Sequence, residues 1–90
     1  MPKFLVERTI TGFGSLSPEK INDVASRVRS SLKSLGGRVQ WVETFIAQDK
    51  IFTILIAPDE GTIREYSKLV EMPIDAIHLI KSVIDPATGE

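Results

Sequence analysis

The sequence predicts an α+β sandwich, in which two helices and four strands follow one another as β-α-β-β-α-β. Two stretches repeat apolar residues at the spacing of an amphipathic helix. Four short stretches are rich in β-branched and aromatic residues, as strands are. Only two residues separate the middle strands, which predicts a tight hairpin. A chain of 90 residues makes one domain, here residues 1–90, with a frayed polar tail over residues 86–90.

The first half of the chain supplies one strand and one long helix. Lys3 to Ile10 alternates like a strand, interrupted only by Arg8. Ser17-Pro18-Glu19 predicts a helix start, since serine caps the first amides and proline suits the first turn. The apolar stripe of this helix comprises Ile21, Val24, Ala25, Val28, Leu32 and Leu35. Gly36-Gly37 then ends the helix.

The second half supplies a hairpin, a helix and a last strand. The hairpin strands are predicted at Val39 to Ala47 and Lys50 to Ala57. The second helix begins after Asp59 and ends at Met72-Pro73, because a residue before proline avoids helical angles. Ala76 to Ile84 is the predicted fourth strand. Two crossovers around a central hairpin give the ferredoxin-like βαββαβ sandwich, a four-stranded antiparallel sheet with two helices on one face.

Composition excludes several classes of function. Eleven Lys and Arg against twelve Asp and Glu give a net charge of −1, which argues against a nucleic-acid partner. The lack of cysteine excludes disulfides and thiolate chemistry, and one histidine excludes a multi-histidine metal site within one chain. No apolar run is long enough to span a membrane and no targeting segment is visible, so we expect a cytoplasmic protein without a membrane partner.

Both faces of the predicted hairpin are apolar, although two helices cover only one face of the sheet. Pairing Ala47 with Lys50 places one set on the first face: Trp41, Glu43, Phe45, Phe52, Ile54 and Ile56. It places the other set opposite: Val42, Thr44, Ile46, Ile51, Thr53 and Leu55. We assign the first set to the face without helices. An uncovered apolar face predicts a homodimer that packs sheet on sheet. A further interpretation is that the dimer or an open groove also encloses a small-molecule pocket.

Carboxylates and a histidine are predicted on or near this open face. The expected ligand-binding residues are Glu7, Trp41, Glu43, Phe45, Phe52 and Ile54. Glu7 and Glu43 would act as acid and base, or join His78 as ligands of a first-row divalent metal. In the alternative interpretation Glu7 pairs with Arg8 or Lys81 and Glu43 lies at a wet rim. Turn geometry explains Gly12-Phe13-Gly14 more simply than a phosphate loop does.

Several segments resemble a known family. They are Val6-Glu7-Arg8, Val39 to Phe45, Asp49 to Phe52, Ala57 to Glu60 and Ile63 to Tyr66, with the Met72-Pro73 break. Together they resemble the small ferredoxin-like proteins grouped as nickel-binding-like, formerly a domain of unknown function. The resemblance implies a homodimer and a divalent metal such as nickel, bound with the help of histidines. The family's second helix usually carries Arg-Glu-His, whereas this chain has Arg64-Glu65-Tyr66.

Three functions remain open at this point. We favour a non-enzymatic, dimeric ligand- or metal-binding module with its site on the open sheet face or at the dimer seam. The alternative is a small cofactor-free isomerase or monooxygenase-type enzyme, with Glu43 or Glu7 as general base. The third is a structural partner domain without a bound ligand.

Overall fold

The four strands form one antiparallel sheet, as predicted. A computed structural model describes residues 1–88. The elements are β1 (Lys3–Thr9), α1 (Pro18–Ser34), β2 (Gln40–Ala47), β3 (Lys50–Ile56), α2 (Glu60–Leu69) and β4 (Ala76–Leu79). The order of the strands in the sheet is β2-β3-β1-β4. This α+β arrangement of four strands and two helices is consistent with the predicted ferredoxin-like fold.

Side chains at both helix starts satisfy amides that have no partner within the helix. Ser17 accepts a hydrogen bond from the Lys20 amide at 3.2 Å, and Pro18 occupies the first turn of α1. Asp59 accepts bonds from both the amide and the hydroxyl of Thr62, each at 2.8 Å. Within residues 1–88, neither helix has the length and apolar content that a membrane span needs.

The core lies between the helices and one face of the sheet. Its most deeply buried aliphatic side chains are Val6 on β1, Leu55 on β3, Ile63 on α2 and Val70 just after α2. Alternation along β1 and β3 sends every second side chain into this core and the others to the opposite face. The two faces of the sheet therefore have distinct environments.

The face predicted for Trp41 is wrong, because a β-bulge at Val42 turns Trp41 to the opposite face of the sheet. The pairs Glu43–Ile54, Thr44–Thr53 and Phe45–Phe52 follow the predicted register, but Trp41 pairs with Leu55 after a shift between Trp41 and Glu43. An extra residue in one strand turns the preceding side chains to the other face. Trp41 consequently packs against the core on the helix side rather than lying on the open face.

The fourth strand is shorter than predicted and ends at Leu79 instead of Ile84. Its partner β1 begins at Lys3, whose carbonyl accepts the last bond from the Ile80 amide, so no further pairing is available. Residues 86–88 of the predicted tail form a turn, in which Thr88 and Ala87 amides donate to Asp85. The rest of that predicted tail, residues 89–90, lies outside the described residues.

The two glycines before α1 have different roles: Gly12 allows the turn, as the turn interpretation expected, and Gly14 allows close packing. Phe13–Ser15 forms a 3₁₀ turn that packs against the β2–β3 hairpin. The Gly14 amide donates to the Gln48 carbonyl at 2.8 Å, and a Cβ at Gly14 would lie 2.6 Å from the same oxygen. Gly12 has φ 79°, where glycine carries no steric cost.

Asp59 gives the α2 cap a testable pH dependence. Hydrogen bonds from the Thr62 amide and hydroxyl hold the pKa of Asp59 below its ordinary value. The charged cap therefore stabilises the fold above the ordinary aspartate pKa of about 3.9 and loses that contribution as pH falls through the lowered pKa. Asp59→Asn keeps an acceptor but does not titrate. We expect the stability advantage of the wild type over Asp59→Asn to shrink below about pH 4.

Urea denaturation of both proteins between pH 7 and pH 3 measures this difference. Ser17→Asn is the matched control, since it exchanges one neutral cap for another at α1. Its unfolding free energy should differ from that of the wild type by the same amount at every pH. A pH-independent difference between Asp59→Asn and the wild type would contradict the assigned role of the Asp59 charge.

Candidate functional site

Within residues 1–88 no helix covers the second face of the sheet, which we call the open face. It carries Leu5 and Glu7 from β1, Glu43 and Phe45 from β2, Phe52, Ile54 and Ile56 from β3, and Ala76 and His78 from β4. Its centre is apolar and half-buried, while Phe45 near one edge is 50% exposed. Five of the six residues expected to bind a ligand share this face, and Trp41 does not.

Glu7 and His78 meet on the open face through neighbouring strands. Leu5 pairs with His78 and Glu7 pairs with Ala76, so Glu7 and His78 are diagonal neighbours on one face. His78 Nε2 lies 3.4 Å from Glu7 Oε1. An imidazole nitrogen and a carboxylate oxygen at this separation form an ion pair when the histidine is protonated, or provide two ligand atoms for a metal.

Glu43 shares the open face but lies apart from this pair. It is on β2 and Glu7 is on β1, with β3 between them, which separates their strands by roughly 10 Å. Within residues 1–88, no three His, Asp or Glu side chains of one chain come close enough to hold a metal ion. A single chain thus brings together two of the three predicted metal ligands, Glu7 and His78.

The partner predicted for Glu7 in the alternative interpretation is not the one observed. Arg8 points to the helix side, because consecutive strand residues face opposite ways. Glu7 lies beside His78 rather than Arg8 or Lys81.

A cavity that was not predicted from the sequence lies on the helix side of the sheet. It has a volume of about 170 Å³ and lies between the N-terminal half of α1 and the sheet. Its walls include four residues of α1, namely Ile21, Val24, Ala25 and Val28. The sheet contributes Arg8 of β1, Trp41, Thr44 and Ile46 of β2, and Ile51 and Thr53 of β3. Phe13, Tyr66 and Met72 complete the lining. Ile46 belongs to this face by register and is 41% exposed, so part of the cavity wall is accessible to solvent.

Arg8 is the charged residue of the cavity wall. The side chain is only 1% exposed, and its burial lowers the pKa of the guanidinium. Its Nη1 donates to the Pro73 carbonyl at 3.1 Å and its Nη2 donates to Ser67 Oγ at 3.0 Å. Among residues 1–88 no carboxylate lies within ion-pair distance of Arg8. Arg8, a residue of the cavity wall, thus has neutral hydrogen-bond acceptors but no carboxylate partner among the described residues.

Neutral polar groups occupy other parts of the cavity wall. Burial raises the pKa of Tyr66, with a smaller opposing effect of Arg8, and its phenol is therefore neutral at physiological pH. Trp41 Nε1 donates to Thr44 Oγ1 at 2.9 Å, and the hydroxyls of Thr44 and Thr53 are 3.1 Å apart. In the sequence, the visible signal for this site was the single interruption of the β1 alternation by Arg8.

Residues 4–80 match the family described as nickel responsive protein SCO4226-like. The chain belongs to this family. The match confirms the resemblance inferred from the segments between Val6 and Pro73. It spans both the open face and the cavity wall, and it includes Glu7, Arg8, Tyr66 and His78.

Among solved structures, the fold is similar to that in the crystal structure analysis of SCO4226 from Streptomyces coelicolor A3(2). The TM-score is 0.74 with 12% sequence identity, and the alignment covers 91% of this chain and 99% of that chain. A likeness at this identity shows the shared fold. No curated protein matches this chain.

Ser67 tests how firmly Arg8 is anchored. Ser67→Ala removes the acceptor of a buried, charged donor, which costs about 1–3 kcal/mol of unfolding free energy. Urea denaturation at pH 7 measures the loss. Ser26→Ala is the matched control on the exposed side of α1, where we expect a change below about 0.5 kcal/mol. Equal effects of the two substitutions would show that water replaces Ser67 at Arg8 without cost.

Proposed function

We propose that the protein is a homodimeric module that binds a divalent first-row metal between two open sheet faces. Each subunit contributes Glu7 and His78, so that a two-fold axis near this pair gathers two imidazoles and two carboxylates around one ion. The proposed compartment is the cytoplasm, because a chain without cysteine needs no oxidising environment for its fold.

One observation carries the proposal: the only histidine lies 3.4 Å from a carboxylate, on an apolar face that no helix covers. An exposed apolar sheet face favours association with a second copy of the chain. Because two protein ligands hold a metal poorly, a second copy would also complete the coordination sphere.

The ligand chemistry favours nickel or zinc over magnesium or calcium. Imidazole suits zinc, copper and nickel, whereas magnesium and calcium prefer oxygen ligands alone. The family's description as nickel responsive supports nickel as the first metal to test.

The enzymatic alternative lacks a comparable observation. A glutamate general base needs a pocket that holds a substrate against it. Neither Glu7 nor Glu43 is among the residues that line the helix-side cavity. We therefore do not propose a glutamate-dependent isomerase or monooxygenase.

Metal binding predicts a rise in thermal stability that depends on His78. At free Ni²⁺ one hundred times above its dissociation constant, mass action adds about 2.7 kcal/mol. For a domain of this size, that corresponds to an increase in Tm of roughly 10 °C or more. His78→Gln and Glu7→Gln should each remove most of the increase, as measured by thermal melts followed by circular dichroism.

Glu19→Gln is the control for this experiment, because it removes an exposed carboxylate at the start of α1, on the helix layer. It should respond to Ni²⁺ like the wild type. An unchanged wild-type Tm with excess Ni²⁺ or Zn²⁺ would refute the metal site.

The dimer is tested by placing a charge on the open face. Phe45→Glu should convert a dimer of about 20 kDa into the 10.0 kDa monomer in light scattering, because the seam would have to bury an unpaired carboxylate. Leu69→Glu is the matched control, since Leu69 is a 46% exposed apolar residue on α2 and away from the open face. A wild-type chain that is monomeric at high concentration would contradict the dimer.

A further inference from the structure

We propose that the helix-side cavity binds a small carboxylic acid with an apolar body, whose carboxylate pairs with the Arg8 guanidinium. The site would be separate from the proposed metal site, because Glu7 and Arg8 lie on opposite faces of β1. The two proposals therefore fail or succeed independently.

The charge of Arg8 determines the class of ligand. An unpaired buried charge is costly, and an anion within hydrogen-bond distance offsets that cost. A guanidinium has five N–H donors, and two of its nitrogens donate to Pro73 and Ser67. These bonds fix the plane of the group and leave further donors for a carboxylate, whose two oxygens match the guanidinium fork.

The other walls determine the body of the ligand. Ile21, Val24 and Val28 contribute apolar surface from α1, and Trp41 adds an aromatic ring. Such a wall favours a ring or a short branched hydrocarbon. The neutral phenol of Tyr66 adds a polar group without a competing negative charge.

The size of the cavity limits the ligand to about one ring. An apolar cavity of about 150 Å³ holds benzene, so a volume of about 170 Å³ suits a single ring bearing a carboxylate. Part of the cavity wall is accessible from solvent, since Ile46 is 41% exposed. The helix residues Ile21, Val24 and Ala25 of the same cavity are only half-buried, in contrast to Val28 farther along α1.

Benzoate and its neutral isostere benzamide provide a direct test on the wild-type protein. Each is titrated while the backbone amides are followed by two-dimensional NMR. We expect benzoate to shift the amides of Arg8, Thr44 and Tyr66 with a Kd below about 1 mM, and benzamide to bind at least about tenfold more weakly. Equal affinities, no binding of benzoate up to about 10 mM, or shifts confined to the open face would overturn the proposal.

A cavity-filling variant adds a second test. Ala25→Leu places extra methyl groups into the cavity from α1 and should weaken benzoate at least about tenfold while leaving Arg8 in place. Ser26→Leu makes a similar change at the exposed neighbouring position and should bind like the wild type. Wild-type affinity in Ala25→Leu would overturn the assignment to this cavity. The comparison of benzoate with benzamide decides the question even where Ala25→Leu is too unstable to study.

Discussion

The sheet has two apolar faces and only one layer of helices. Along β3, Ile51 and Leu55 face the helices, while Phe52, Ile54 and Ile56 face away from them. Burial of the second set would contribute roughly 25 cal/mol for each Å² removed from water, but no helix within residues 1–88 covers it. The position of every candidate site follows from this imbalance, because each side chain of the sheet faces either the helix layer or the open face.

Strand β1 connects the two environments. Glu7 faces the open side and lies beside His78, while Arg8, the next residue, is buried between the sheet and α2. Consecutive residues of a strand face opposite sides of the sheet, so the carboxylate of Glu7 and the guanidinium of Arg8 lie on different faces although the residues are adjacent in the sequence. Arg8 also joins β1 to α2 through Ser67 and to the chain before β4 through Pro73, so its cost of burial is offset by contacts that hold the layers together.

Local patterns predicted the order of the elements and most of the hairpin register. Helix caps such as Ser17 and Asp59 are readable because the signal and its partner lie within three residues. The bulge at Val42 was not readable, since Trp41 and Val42 are both apolar and either one suits a buried face. The alternation along β1 revealed that Arg8 was unusual. Its acceptors lie 59 and 65 residues away in the sequence, so the burial of its charge depended on tertiary structure alone.

Tyrosine at position 66 makes the helix side of the sheet less suited to a metal cation than the open face. Tyr66 occupies the place where the resemblance leads one to expect histidine, and it lies 2% exposed on the helix side near Arg8. A metal ion there would be repelled by the guanidinium and would find a neutral phenol instead of an imidazole. On the open face, by contrast, His78 and Glu7 present one nitrogen and one oxygen ligand on the side of the sheet away from Arg8. The proposed metal site on the open face and the proposed carboxylate site in the cavity are therefore both compatible with tyrosine at position 66.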